Sequence, residues 1–162
     1  MARHTHQFEF EVLDHEVELE DTDRYLLQKA KETTEQAYAP YSRFHVAAAA
    51  RLTSGDIVCA TNQENASYPV GICAERALLS TLSATHPNIP IDTIAITYLN
   101  HATGNSNTPA SPCGLCRQTL FEYEQRMGHP IRLILAGETG KVLVVKSIGD
   151  LLPFGFGPDD LK

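Results

Sequence analysis

Apolar and polar positions alternate near the start of the chain, with Phe8, Phe10 and Val12 set against Gln7, Glu9 and Glu11. A period of two predicts a strand with one apolar face. Asp21 and Thr22 then offer N-cap oxygens to a helix running to about Ala37, with Leu26, Ala30, Thr33 and Ala37 on one face. Pro40 ends it, because the residue before a proline is pushed out of helical geometry. Two extended runs follow, 45–52 and 56–61, around the tight turn Ser54-Gly55-Asp56, and predict a β-hairpin. Residues 62–71 read as a loop that leads into a helix from Cys73 to about Ala84, stopped by Pro87. The run 91–99 is rich in β-branched residues and reads as a buried strand. Residues 101–112 form a Gly/Ser/Asn/Thr/Pro loop. Cys113 opens a further helix, in which Cys116, Leu120, Tyr123 and Met127 recur at helical spacing and Gly128 is the C-cap. Strands at 131–136 and 141–147 are joined by Gly137-Glu138-Thr139-Gly140, a link too short for a parallel crossover, so they pair antiparallel. Strands and helices in this order predict an α/β sandwich built on one mixed sheet.

Composition narrows the class. The 162 residues suit one domain, with residues 1–20 as an N-terminal strand extension, and 43% apolar against 20% charged residues is a globular balance. No apolar run of signal-peptide length follows Met1, and no stretch approaches the ~20 apolar residues that span a bilayer. The chain therefore reads as a cytoplasmic protein with no membrane partner. Thirteen Lys and Arg against twenty Asp and Glu give a formal charge of −7, which opposes a grip on nucleic-acid phosphates. The four cysteines are too few for a disulfide scaffold, and in a reducing compartment they stay free to bind metal.

Three of those cysteines and one glutamate carry the chemistry. Cys73-Ala74-Glu75-Arg76 and, forty positions on, Pro112-Cys113-Gly114-Leu115-Cys116-Arg117 both lie at predicted helix starts. Free N–H groups there favour thiolate over thiol. Cys113 and Cys116 share one helical turn, and Cys73 supplies a third sulfur from a neighbouring helix. Three ligands leave a tetrahedral Zn²⁺ one open position, where water ionises near a pKa of about 7. Glu75, two residues from a ligand, is placed to move protons without binding the metal. Arg76 and Arg117 are close enough in sequence to offset surplus thiolate charge by hydrogen bonding to sulfur. A redox Cys-x-x-Cys pair and a structural zinc site are the alternatives. The first leaves Cys73 and Glu75 without a role, and the second must recruit Cys59 from a predicted strand. Cys59 reads as a small core residue and His45 as packing or surface, and the scattered histidines supply no metal ligand.

At these residues the sequence resembles the zinc-dependent cytidine deaminases, in particular their short, all-cysteine, homotetrameric class. Three further segments share the resemblance: Ala39-Pro40-Tyr41-Ser42-Arg43-Phe44-His45-Val46, Asn62-Gln63-Glu64-Asn65-Ala66-Ser67-Tyr68 and Leu151-Leu152-Pro153-Phe154-Gly155-Phe156. The resemblance implies a three-layer α/β/α sandwich with a mixed sheet of about five strands. It implies one zinc per chain on Cys73, Cys113 and Cys116, with Glu75 as proton shuttle. Phe44 would pack on a pyrimidine, Asn62 and Glu64 would bind ribose hydroxyls, and the Ala74 backbone would read the base edge. Tyr68 and Phe156 would complete a neighbouring subunit's pocket; packing is the plain alternative for these aromatics. The implied activity is hydrolysis of cytidine and deoxycytidine to uridine and deoxyuridine plus ammonia, in pyrimidine salvage. Rival readings are a deaminase for another small substrate, such as blasticidin S, a polynucleotide-editing deaminase, and a non-catalytic zinc module. The family usually has Gly where this chain has Ala47, an extra methyl expected to tighten packing near the pocket. The N-terminal strand and the loop 102–110 look like additions to the family core.

Overall fold

Alternation along each strand decides the layering. The computed structural model describes residues 1–162. Its regular elements are β1 (Phe10–Leu13), α1 (Asp21–Thr33), β2 (Phe44–Leu52), β3 (Ile57–Thr61), α2 (Ala74–Thr85), β4 (Ile91–Asn100), α3 (Gly114–Met127), β5 (Arg132–Ala136) and β6 (Val142–Val145). The strands form one sheet in the order β1-β6-β5-β4-β2-β3. Only β4 and β5 pair in parallel, because α3 carries the chain back between them. The last two strands are antiparallel, as the short 137–140 link requires. The sheet has six strands rather than about five. The sixth is β1, which adds to the β6 edge with Phe10 opposite Val145 and Val12 opposite Leu143.

Successive side chains point to opposite faces of a strand. Ala48, Ala50, Ile94, Ile96, Leu133 and Leu135 pack with the buried faces of α2 and α3. Ala49, Ala95, Ile134, Ala136 and Val144 pack with Leu26, Leu27 and Ala30 of α1. Each fully buried leucine or isoleucine contributes roughly 1.5–3 kcal/mol of transfer free energy. Ala47 to Ala50 are all fully buried, and their small side chains let helices approach β2 on both faces. The alternation puts the Ala47 methyl on the α1 side with Ala49, opposite the face that carries Phe44 and Val46. The extra methyl is therefore not directed at the pocket.

α1 departs from expectation at both ends. Its N-cap is Glu20, with no side-chain cap bond, and Asp21 sits in the first turn, paired with Arg24 at 2.5 Å. It stops at Thr33 and tightens into a 3₁₀ turn, Thr34–Gln36. The hydroxyls of Thr33 and Thr34 donate back to the carbonyls of Lys29 and Lys31, both at 2.7 Å, which competes with the helical ladder. Cys59 is half-buried rather than core, because β3 is an edge strand. Gly128 closes α3 in the left-handed conformation at φ 60°, as its position predicts. The buried Glu124 ties α3 to the end of the sheet, accepting from Ile131 N at 2.7 Å, Ile148 N at 3.2 Å and Ser147 Oγ at 2.7 Å. No helix is long and apolar enough to cross a membrane.

Candidate active site

Cys73 and Cys113 occupy the same kind of position. Each is the N-cap of a helix, α2 and α3 respectively, in extended backbone geometry and with no side-chain cap bond. Each thiol therefore lies beside N–H groups that have no intrahelical acceptor. Cys116 lies one turn into α3 and is fully buried. The two helix starts meet, and the sulfurs converge: Cys73 to Cys113 is 3.9 Å, Cys113 to Cys116 is 3.4 Å, and all three lie within 4.8 Å of one another. A zinc tetrahedron with bonds of about 2.3 Å has S–S edges near 3.8 Å, so the donor set fits that ion.

The acidity of the cluster points the same way. A hydrogen bond from the Cys116 thiol, helped by Cys113 and the charge of Arg76, brings Cys73 down to about 6 against its burial and the Glu75 charge. Cys116 is pushed up instead, first by its bond to Cys73, then by burial and by Glu75. The ionised form is thus favoured on Cys73 and disfavoured on Cys116. Glu75, the second residue of α2, is only 4% exposed. Burial raises its carboxyl above the ordinary range, while its own backbone N–H and the Cys116 thiol partly oppose this. A carboxyl in this position, beside the three thiols, is placed to accept a proton and return it.

A cleft of about 690 Å³ contains all three sulfurs and Glu75. Phe44, Asn62, Glu64, Tyr68 and Ala74 line the same cleft. Their backbone is set by a short extended segment: Gln63 and Ile72 exchange hydrogen bonds of 2.9 and 3.0 Å, and Glu64 N donates to Tyr38 O at 2.7 Å. Asn62 is already engaged. Its Oδ1 accepts from Val46 N at 2.8 Å and its Nδ2 donates to Phe44 O at 2.9 Å, which leaves one N–H and one lone pair free. Glu64 Oε2 accepts from Tyr41 N at 2.9 Å and Ser42 N at 3.3 Å, so Oε1 is the oxygen left for a ligand.

A family model described as the cytidine and deoxycytidylate deaminase zinc-binding region matches residues 20–127. The chain belongs to this deaminase family. It is 36% identical over 145 residues to the cytidine deaminase of Mycobacterium tuberculosis, covering 87% of this chain and 95% of that one. It is 32% identical over 137 residues to the cytidine deaminase of Halalkalibacterium halodurans, covering 85% and 96%. The crystal structure of cytidine deaminase from Burkholderia pseudomallei superposes with a TM-score of 0.69 at 38% identity, covering 82% of this chain and 97% of that one.

Not every expected contact of this deaminase is present. Arg117 makes no bond to sulfur. Its Nε donates to Pro112 O at 2.9 Å and its Nη1 to Leu151 O at 3.1 Å, so it holds the approach to Cys113 and the C-terminal segment. Arg76 makes no hydrogen bond to sulfur either and acts on Cys73 through charge alone. Phe156 does not line the cleft of its own chain. It is 55% exposed, with its carbonyl held by Gln118 Nε2 at 2.7 Å. Tyr98 and the loop residues Thr108 to Ser111 line the cleft without a forecast. Tyr98 follows Ile94 and Ile96 at alternate positions of β4, and that aromatic was the available signal.

Proposed function

We propose that this chain is a cytidine deaminase, hydrolysing cytidine and deoxycytidine to uridine and deoxyuridine with release of ammonia, as a step of pyrimidine salvage. The observation that carries the reading is the buried Glu75 beside three converging thiols, in a cleft that also holds Phe44, Asn62 and Glu64. The relatives' names support the choice of substrate. Cys73, Cys113 and Cys116 would hold the zinc, which when bound supplies a Lewis acid that acidifies water and orients it. Glu75 would accept one proton of that water and deliver it to N3 of the base, then move the oxygen's second proton to the amino group that departs as ammonia. Phe44 would pack on the pyrimidine, with the Ala74 backbone at the base edge. Glu64 Oε1 and the free Nδ2 proton of Asn62 would bind the ribose hydroxyls.

The net charge of −7 suits an uncharged nucleoside and disfavours a phosphorylated one. Residues 1–162 act as one domain with residues 1–20 as an extension. The working assembly is a homotetramer, in which the exposed Tyr68 and Phe156 face a neighbouring copy. A cytoplasmic location keeps the three thiols reduced for metal. The test is zinc content measured together with loss of cytidine ultraviolet absorbance. Cytidine and deoxycytidine should be converted while CMP, adenosine and blasticidin S are not. A zinc-loaded protein that leaves cytidine intact would remove this reading.

A further inference from the structure

We propose that Tyr98 is a positioning residue of this deaminase, which locks the loop 101–112 onto Phe44 so that loop and aromatic ring form one fixed wall of the cleft. The inference rests on the reading of the cleft as a nucleoside site. Tyr98 stands near the end of β4 and is only 6% exposed. Its ring stacks on that of Phe44, with centroids 4.6 Å apart and planes 20° from parallel. Its hydroxyl shares a hydrogen bond of 3.1 Å with Thr108 Oγ1. One side chain therefore touches both the ring proposed to meet the base and the loop facing it across the cleft.

The loop is held at several further points. Ser106 accepts on its hydroxyl from Asn100 N at 2.9 Å, and on its carbonyl from Glu138 N at 2.7 Å. Ala110 N donates to Ala136 O at 3.2 Å, and His101 N donates to Arg43 O at 2.9 Å. A methyl group on Gly137 would overlap the Ser106 carbonyl and come within 2.9 Å of Thr108 O, so only glycine allows this approach. The Glu138 and Ala136 bonds fix the loop to the end of β5 and the turn after it, while Asn100 and Arg43 hold its first half beside β4 and β2. The side lining the cleft has the Tyr98–Thr108 bond as its side-chain tie to the strand beneath. The same loop runs through Ser111 and Pro112 into Cys113, so the wall and one thiol are placed together.

Tyr98→Phe keeps the stacked ring and deletes only the hydroxyl, and Thr108→Val removes its partner. In the zinc-loaded enzyme, each variant should speed hydrogen exchange of amides 104–111 about fivefold. Each should raise KM for cytidine about fivefold with kcat within about twofold and zinc content unchanged, since the wall is set before the chemistry. The double variant should match either single one, because both remove the same bond. Wild-type exchange rates in Tyr98→Phe, or effects that multiply in the double variant, would overturn the proposal. If the wild-type holoenzyme fails to convert cytidine, the nucleoside reading falls and the exchange rates still decide the role of Tyr98.

Discussion

The side-chain amide of Asn62 takes the place of a strand partner for β2: it accepts from Val46 N at 2.8 Å and donates to Phe44 O at 2.9 Å. The residue proposed to bind ribose thus also fixes the backbone that carries Phe44, the ring proposed to meet the base. Asn62→Asp is nearly isosteric but places a second acceptor against the Phe44 carbonyl. It should lower stability by about 1–3 kcal/mol in thermal or urea unfolding and raise KM for cytidine. An unchanged melting temperature would show that the two backbone bonds are not needed.

Glu75→Gln keeps the shape of the side chain and removes its ability to accept a proton. Bound zinc should stay at one per chain while turnover falls by at least about a hundredfold. Residual activity above that level takes Glu75 out of acid–base work.

Cys113→Ala deletes the sulfur that lies within 3.9 Å of both others. Metal analysis after dialysis should show less than stoichiometric zinc, with activity lost in proportion. Full retention of the metal would sink the ligand assignment.

Phe156→Ala tests the shared pocket. The side chain is exposed in its own chain, so truncation should cost little folding stability. Light scattering should report a tetramer, and the variant should show a higher KM for cytidine. A fully active monomer would leave Phe156 and Tyr68 with no role between subunits.

Acid should weaken the fold through Asp92. Burial alone raises its carboxyl, but the hydrogen bonds from Arg51, at 2.7 and 3.0 Å, and from Thr93, with the Arg51 charge, outweigh it, so the pKa is lowered in the folded state. A lowered folded pKa stabilises above the unfolded value of about 3.9 and is lost as pH falls through the folded one. The melting temperature of Asp92→Asn should therefore fall less steeply than that of the wild type as pH drops from about 5 to 3. Parallel curves would assign the acid sensitivity to other carboxylates.

Local chemistry made much of this legible. Ser54-Gly55 marks the β2–β3 turn because Gly55 needs φ +93°, and Gly128 marks the end of α3 for the same reason. The cysteines at two helix starts announced the metal centre. What stayed hidden depends on contacts between distant segments. The alternation of Phe8, Phe10 and Val12 predicts a strand but not its partner, which lies more than a hundred residues away on β6. Arg117 sits next to a metal ligand in sequence, yet the competing carbonyls of Pro112 and Leu151 claim it. The loop 102–110 looked like an addition to the family core because its anchors, Gly137 and Tyr98, acquire meaning only once β4 and β5 lie side by side.

The sulfurs come from two helix starts forty positions apart, and this makes the metal a crosslink as well as a reagent. An unfolded chain does not hold Cys73 against Cys113, so zinc binds the native state in preference and its binding energy adds to folding. At a free metal level a thousand times the dissociation constant, that addition is about 4 kcal/mol, a large share of an ordinary domain's stability. Zinc supply would then govern how long the protein survives as well as how fast it works.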